Sequence, residues 1–111
     1  MATWKLTVRK GSRVERERFD RLDDAIAELR RRAVGIAGED PLPTVKAFRD
    51  YGPERRVAAR LELSRGGWLR GREAGLDVMG DGRLVAYEGA IRKRELDGGP
   101  AAFDAIREAL T

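Results

Sequence analysis

The sequence predicts an α+β fold: an antiparallel sheet of about five to six strands with two helices packed on one face, in the order β-β-α-β-β-β-β-α. Three observations lead there. The chain opens on strict alternation, Trp4, Leu6 and Val8 against Lys5, Thr7 and Arg9, the period-two pattern of a strand with one buried face. It then shifts to the helical period, with Leu22, Ala25, Ile26, Leu29 and Ala33 on one stripe. After a series of extended segments separated by glycine-rich turns, a second helical stripe closes it with Phe103, Ile106 and Leu110.

Each element has its own warrant. Gly11 and Ser12 supply a turn after the first strand, and "VERERF" continues extended with only Val14 and Phe19 as core contacts, so residues 3–19 read as a hairpin whose second arm is wet on one face. In the first helix Asp20 is placed to cap, Asp23 and Asp24 fall at the positive end of the helix dipole, Arg30, Arg31 and Arg32 at the negative end, and Gly35 or Gly38 is the stop. "GIAGEDPLP" is the longest expected loop. "VKAFRDY" reads as a strand. "RVAARLELS" reads as a core strand with Val57, Ala59, Leu61 and Leu63 facing one way. Ala74, Leu76 and Val78 alternate in the next strand, "GDG" at 80–82 makes a hairpin turn, and "RLVAYEGAIRKREL" forms one final strand with Val85, Tyr87, Gly89 and Ile91 on a common face. Pro100 opens the closing helix at its first position.

Composition narrows the function classes. At 111 residues the chain supports one hydrophobic core, and residues 1–111 are read as a single α+β domain. No apolar run approaches the roughly 20 residues of a spanning helix or the core of a signal peptide, so the expected address is cytoplasmic, without a membrane partner. Cysteine and histidine are absent, which removes disulfides, thiol nucleophiles, imidazole bases and the usual transition-metal sites; no metal or cofactor is expected. Asparagine and glutamine are absent too, and 38% of residues are charged, a composition resembling that of heat-adapted proteins; the excess of arginine over lysine, 19 to 4, also fits a GC-rich genome. The net charge of +4 comes from 23 basic and 19 acidic side chains that are mostly interspersed.

The stretch "SRGGWLRGREAG", residues 64–75, is where a phosphate-gripping loop would sit. No "GK[ST]" follows, the glycine spacing is not G-x-G-x-x-G, and what comes next is extended rather than helical. The stretch therefore reads as a turn at Gly66 and Gly67, with Gly71 and Gly75 marking bulges or close backbone contacts. Trp68 among Arg65, Arg70 and Arg72 is the preferred contact anchor, because tryptophan and arginine are enriched at binding hot spots, although a tryptophan more often packs into the core. The carboxylates form no catalytic or calcium-binding pattern: Glu15 and Glu17 share a strand face, and Asp77 and Asp81 flank a turn.

Three function classes follow. The first is a small non-catalytic binding module, not an enzyme, that forms a homo-oligomer or meets a protein partner through a sheet face or edge. The alternative is a nucleic-acid-binding accessory protein using Arg9, Lys10 and Arg13 of the first hairpin, flanked by Arg16 and Arg18, together with Arg55, Arg56 and Arg60. Without Asn or Gln, base reading would fall to arginine on guanine; the bland reading is that Arg16 and Arg18 pair with Glu15, Glu17 and acids of the helix. A third class is an anionic-ligand pocket between the sheet and the C-terminal helix, with Tyr51 and Tyr87 beside an arginine. The first third of the chain is superficially similar to the arm-binding domains of tyrosine recombinases, where a basic antiparallel sheet precedes a helix, here entered between Phe19 and Ala25; with only two strands ahead of the helix, it assigns no family.

Overall fold

The computed structural model describes residues 3–39, 45–46, 50–51, 56–66, 73–89 and 94–111. Its strands are β1 (Thr3–Lys10), β2 (Arg13–Phe19), β3 (Val45–Lys46), β4 (Asp50–Tyr51), β5 (Val57–Gly66), β6 (Glu73–Met79), β7 (Leu84–Glu88) and β8 (Arg94–Gly98); α1 (Leu22–Ala37) follows β2, and a 3-10 turn (Gly99–Ala101) leads into α2 (Ala102–Leu110). Six strands form one antiparallel sheet in the order β2-β1-β5-β6-β7-β8, and β3 pairs with β4 apart from it. The architecture is the α+β layer that the periodicity predicts.

Register explains the core. Leu6 lies opposite Leu63, which lies opposite Ala74; Val8 opposite Leu61, then Leu76, then Ala86. Partners across antiparallel strands share a face, so these ladders make one apolar surface. On it α1 lays Ala25, Ile26, Leu29 and Ala33, and α2 lays Ala102, Phe103, Ile106 and Leu110, all buried. Each fully buried leucine or isoleucine contributes about 1.5–3 kcal/mol of hydrophobic stabilisation. The helices are tied together by the Arg107–Asp23 ion pair, and the Arg30 guanidinium lies 5.5 Å from the centre of the Phe103 ring. The Arg107 hydrogen bond and charge hold the Asp23 carboxyl below its ordinary range.

Local departures from the sequence pattern have physical causes. "VKAFRDY" does not join the main sheet as a strand: Val45 pairs with Tyr51 and Lys46 with Asp50, so the segment pairs with itself. The last expected strand is two, because Gly89, with φ of 94°, breaks the extended run while its N–H still donates to the Glu73 carbonyl at 2.8 Å; Ile91 lies outside the described residues. The main sheet thus keeps the predicted element order with β7 and β8 as its last two strands. In β5 one extra residue sits between the pairs Val57–Met79 and Ala59–Val78, and this bulge turns Val57 out of the core to 44% exposure. α1 has Arg21 at its N-cap and no side-chain cap bond, so Asp20 does not cap it; Asp23 and Asp24 do occupy the first turn. The helix runs on to Ala37, with Gly38 as its C-cap, which leaves Arg30, Arg31 and Arg32 in mid-helix rather than at its negative end. Arg31 pairs there with Glu28, and Arg32 with Glu15 of β2.

Gly75 sits where only glycine fits. A Cβ built there would overlap the Tyr87 hydroxyl and lie 2.6 Å from the Leu61 carbonyl oxygen, a backbone atom held by the sheet. Gly75→Ala is therefore expected to destabilise the fold by about 1–3 kcal/mol, as overpacking does. Urea unfolding measures it, and a loss under about 0.5 kcal/mol would contradict the close packing of β6 under Tyr87.

Candidate functional site

The face of the sheet opposite the helices carries the chemistry. Alternation places Lys5, Thr7 and Arg9 of β1 there, with Val14, Arg16 and Arg18 of β2, Arg60, Glu62 and Ser64 of β5, Glu73, Gly75 and Asp77 of β6, Val85 and Tyr87 of β7, and Glu95 of β8. Read across the strands, one row runs Arg18, Lys5, Ser64, Glu73; the next runs Arg16, Thr7, Glu62, Gly75, Tyr87, Glu95; the third runs Val14, Arg9, Arg60, Asp77, Val85.

Charge on this face is divided. β1 and β2 contribute the cations Lys5, Arg9, Arg16 and Arg18; β5 contributes one of each sign, Arg60 and Glu62; β6 and β8 contribute the acids Glu73, Asp77 and Glu95. With strands about 4.8 Å apart, the centres of the two strips are about 15 Å from each other. That exceeds the screening length of about 8 Å at physiological salt, so the strips persist as separate fields.

The middle of the face is built differently. Arg60 donates to both Asp77 carboxylate oxygens, Nε to Oδ1 at 2.7 Å and an Nη to Oδ2 at 3.0 Å, a two-point pairing that a planar guanidinium favours. The same guanidinium lies 5.6 Å from the centre of the Tyr87 ring, which rests over Gly75. The Asp77 hydrogen bond raises the Arg60 pKa further above its ordinary value. Burial, with the charges of Glu62 and Asp77, pushes the Tyr87 hydroxyl well above the ordinary tyrosine value. Arg60, Asp77 and Tyr87 thus form a braced unit at the inner edge of the acidic strip, where it meets β5.

The residues singled out from the sequence scatter. Trp68, Arg70 and Arg72 lie outside the described residues, as does Arg55; Arg65 is exposed at the end of β5, opposite Trp4 and so on the helix side. Arg9 reaches Glu62 at 3.5 Å and Arg60 is bound to Asp77, both on the helix-free face. Lys10, Arg13 and Arg56 come together elsewhere, around a cleft at the end of the sheet. Arg16 and Arg18 do not pair with Glu15 and Glu17, because strand alternation sends the arginines to one face and the acids to the other, where Glu15 meets Arg32. Tyr87 faces away from α2, whose inner surface is filled by Phe103, Ile106 and Leu110, and the Tyr51 side chain lies outside the described atoms. The charge division was missed: it needs the strand order, in which β1 lies beside β5, and no single segment displays that.

Among the described residues no group of three or more acidic side chains is placed to hold a metal ion, and no helix is long and apolar enough to cross a membrane. Compared with protein-family models, with curated proteins and with solved structures, the chain matches none.

Because folding raises the Tyr87 pKa above its ordinary 10.0, this residue contributes stability that is intact below about pH 10 and lost as pH rises beyond it. Tyr87→Phe is expected to flatten the alkaline fall, measured by urea unfolding from about pH 8 to about pH 11. Parallel curves for the two proteins would contradict this.

Proposed function

We propose that this chain is a small binding module that works by self-association, two copies meeting through the helix-free face of the sheet. The observation that carries the reading is the division of that face into a cationic strip on β1 and β2 and an acidic strip on β6 and β8. A two-fold axis running along the strands, between the two sheets, lays the cationic strip of each copy over the acidic strip of the other. An axis across the strands would stack like charge on like. The charge pattern therefore selects one geometry as well as permitting contact.

The edge route is disfavoured by the same alternation. Two-fold antiparallel pairing of β2 with a second β2 keeps every residue on its own face, so Arg16 and Arg18 meet only one another or Val14, while Glu15 and Glu17 meet each other, Arg13 or Phe19. Like charges directly opposite destabilise a ladder, and charged edges are a common defence against edge pairing. The helix-free face, about 24 Å across its six strands, would bury on the order of 1,000 Å² in total between two copies, the low end for a specific contact. A weak, salt-sensitive dimer is the expected species.

A second reading, polyanion binding, rests on one observation: Lys5 and Arg18 lie directly opposite each other with Arg16 beside them, and none has a carboxylate partner among the described residues. A backbone phosphate would relieve that repulsion.

Charge swaps separate the two. Arg16→Glu/Arg18→Glu and Glu73→Lys/Glu95→Lys should each be monomeric at low salt in sedimentation analysis, and an equal mixture of the two should re-form a dimer. The wild-type dimer should weaken as salt rises through about 0.15 M. A wild-type protein that stays monomeric at about 1 mM and low salt, or swap variants that dimerise as the parent does, would overturn the self-association reading. Glu73→Lys/Glu95→Lys should still bind heparin if the polyanion reading is right; failure of wild type to bind heparin at low salt rejects that reading.

A further inference from the structure

We propose that the free edge of β2 takes up an extended segment of another protein as an added antiparallel strand, one in which acidic residues alternate with lysine or arginine. β2 is the outermost strand of the main sheet, and Arg13 through Arg18 are exposed without a break, on both faces. In this mode of recognition main-chain hydrogen bonds supply the affinity and alternate side chains select the partner. The proposal does not rest on self-association, which uses the face of the sheet and not its edge.

The turn decides which backbone groups the edge offers. Gly11 and Ser12 join Lys10 to Arg13, with φ of 61° at Gly11 and a negative φ at Ser12, the pattern of a two-residue type II′ hairpin. In such a turn the Arg13 N–H donates to the Lys10 carbonyl. Hydrogen-bonded and non-hydrogen-bonded pairs alternate from there, so Arg13, Glu15, Glu17 and Phe19 direct their backbone groups at β1. Val14, Arg16 and Arg18 turn theirs outward.

Those outward residues also carry the charge on the helix-free side. Arg16 and Arg18 have no ion pair among the described residues, and a second β2 would set only each other or Val14 against them. An acidic residue opposite each would relieve them. The positions between face the helix side, beside Glu15 and Glu17; Arg32 holds Glu15, while Glu17 has no ion pair among the described residues. A groove of about 380 Å³ lies there, floored by Leu6 and Val8 and edged by Glu15, Glu17 and Arg32. A lysine or arginine suits it, laying its aliphatic stem over the floor and its charged end on Glu17. The edge thus disfavours its own copy and accepts the opposite alternation.

The test uses a capped peptide of alternating glutamate and lysine, matched to β2 in length, and follows hydrogen exchange of the Val14, Arg16 and Arg18 amides at low salt. The peptide should slow exchange at all three. N-methylation of its glutamates, whose amides face β2, should abolish the effect, whereas N-methylation of its lysines, whose amides face solvent, should leave it. Glu17→Lys, at an exposed position on the helix side and outside the self-association face, should weaken binding about fivefold. No slowing with the unmodified peptide, equal loss from both methylations, loss from the lysine methylation alone, or a Glu17→Lys variant that binds as wild type does would each overturn the proposal.

Discussion

The pairing of β1 with β5 is the constraint on which the rest of the structure depends. Seven residue pairs, Thr3–Gly66 through Arg9–Arg60, join an N-terminal hairpin to a C-terminal meander that is distant in sequence. Every other contact in the main sheet is between strands adjacent in the chain, with hairpin or short connections. Closing this one long-range pairing carries the loop-closure cost of the intervening helix and the segment after it. What offsets that cost is the apolar ladder it completes, Leu6 on Leu63 and Val8 on Leu61, roofed by α1.

That single register has consequences on both faces. On the helix side it aligns the apolar positions of four strands into one surface wide enough for two helices. On the other side it brings the cationic hairpin next to a meander whose outer acids lie further along the sheet. A one-residue slip would put Lys5 and Arg9 under α1, so burial of the inner face also fixes the outer charge division. Arg60, in the last pair of the join, binds Asp77 on the next strand and lies against Tyr87 on the one after, which stiffens the sheet between its two halves.

Much of this was legible in the residues. β1, the apolar stripes of both helices, the β6 alternation and the "GDG" turn declare themselves because each depends on local period and local turn chemistry. Three things did not. The β5 bulge hides Val57's orientation, since an inserted residue leaves the alternating letters unchanged. The break at Gly89 is hidden in the letters, because flanking extended residues mask a single glycine of positive φ. The candidate surfaces were least visible. Arg9 and Lys10 are neighbours in sequence yet face opposite ways, one toward Glu62 and the other toward Glu39, so a basic cluster in the letters becomes two separate sites in space.

Amide hydrogen exchange tests the central claim most directly. If the β1–β5 register holds the two halves as one unit, the paired amides of β1 and β5 exchange only through global unfolding, and do so with a common free energy, while those of the β2 edge open earlier. If instead β1 and β2 lose protection together, ahead of β5 to β8, the hairpin is a separately opening unit and the long-range pairing is not what organises the fold.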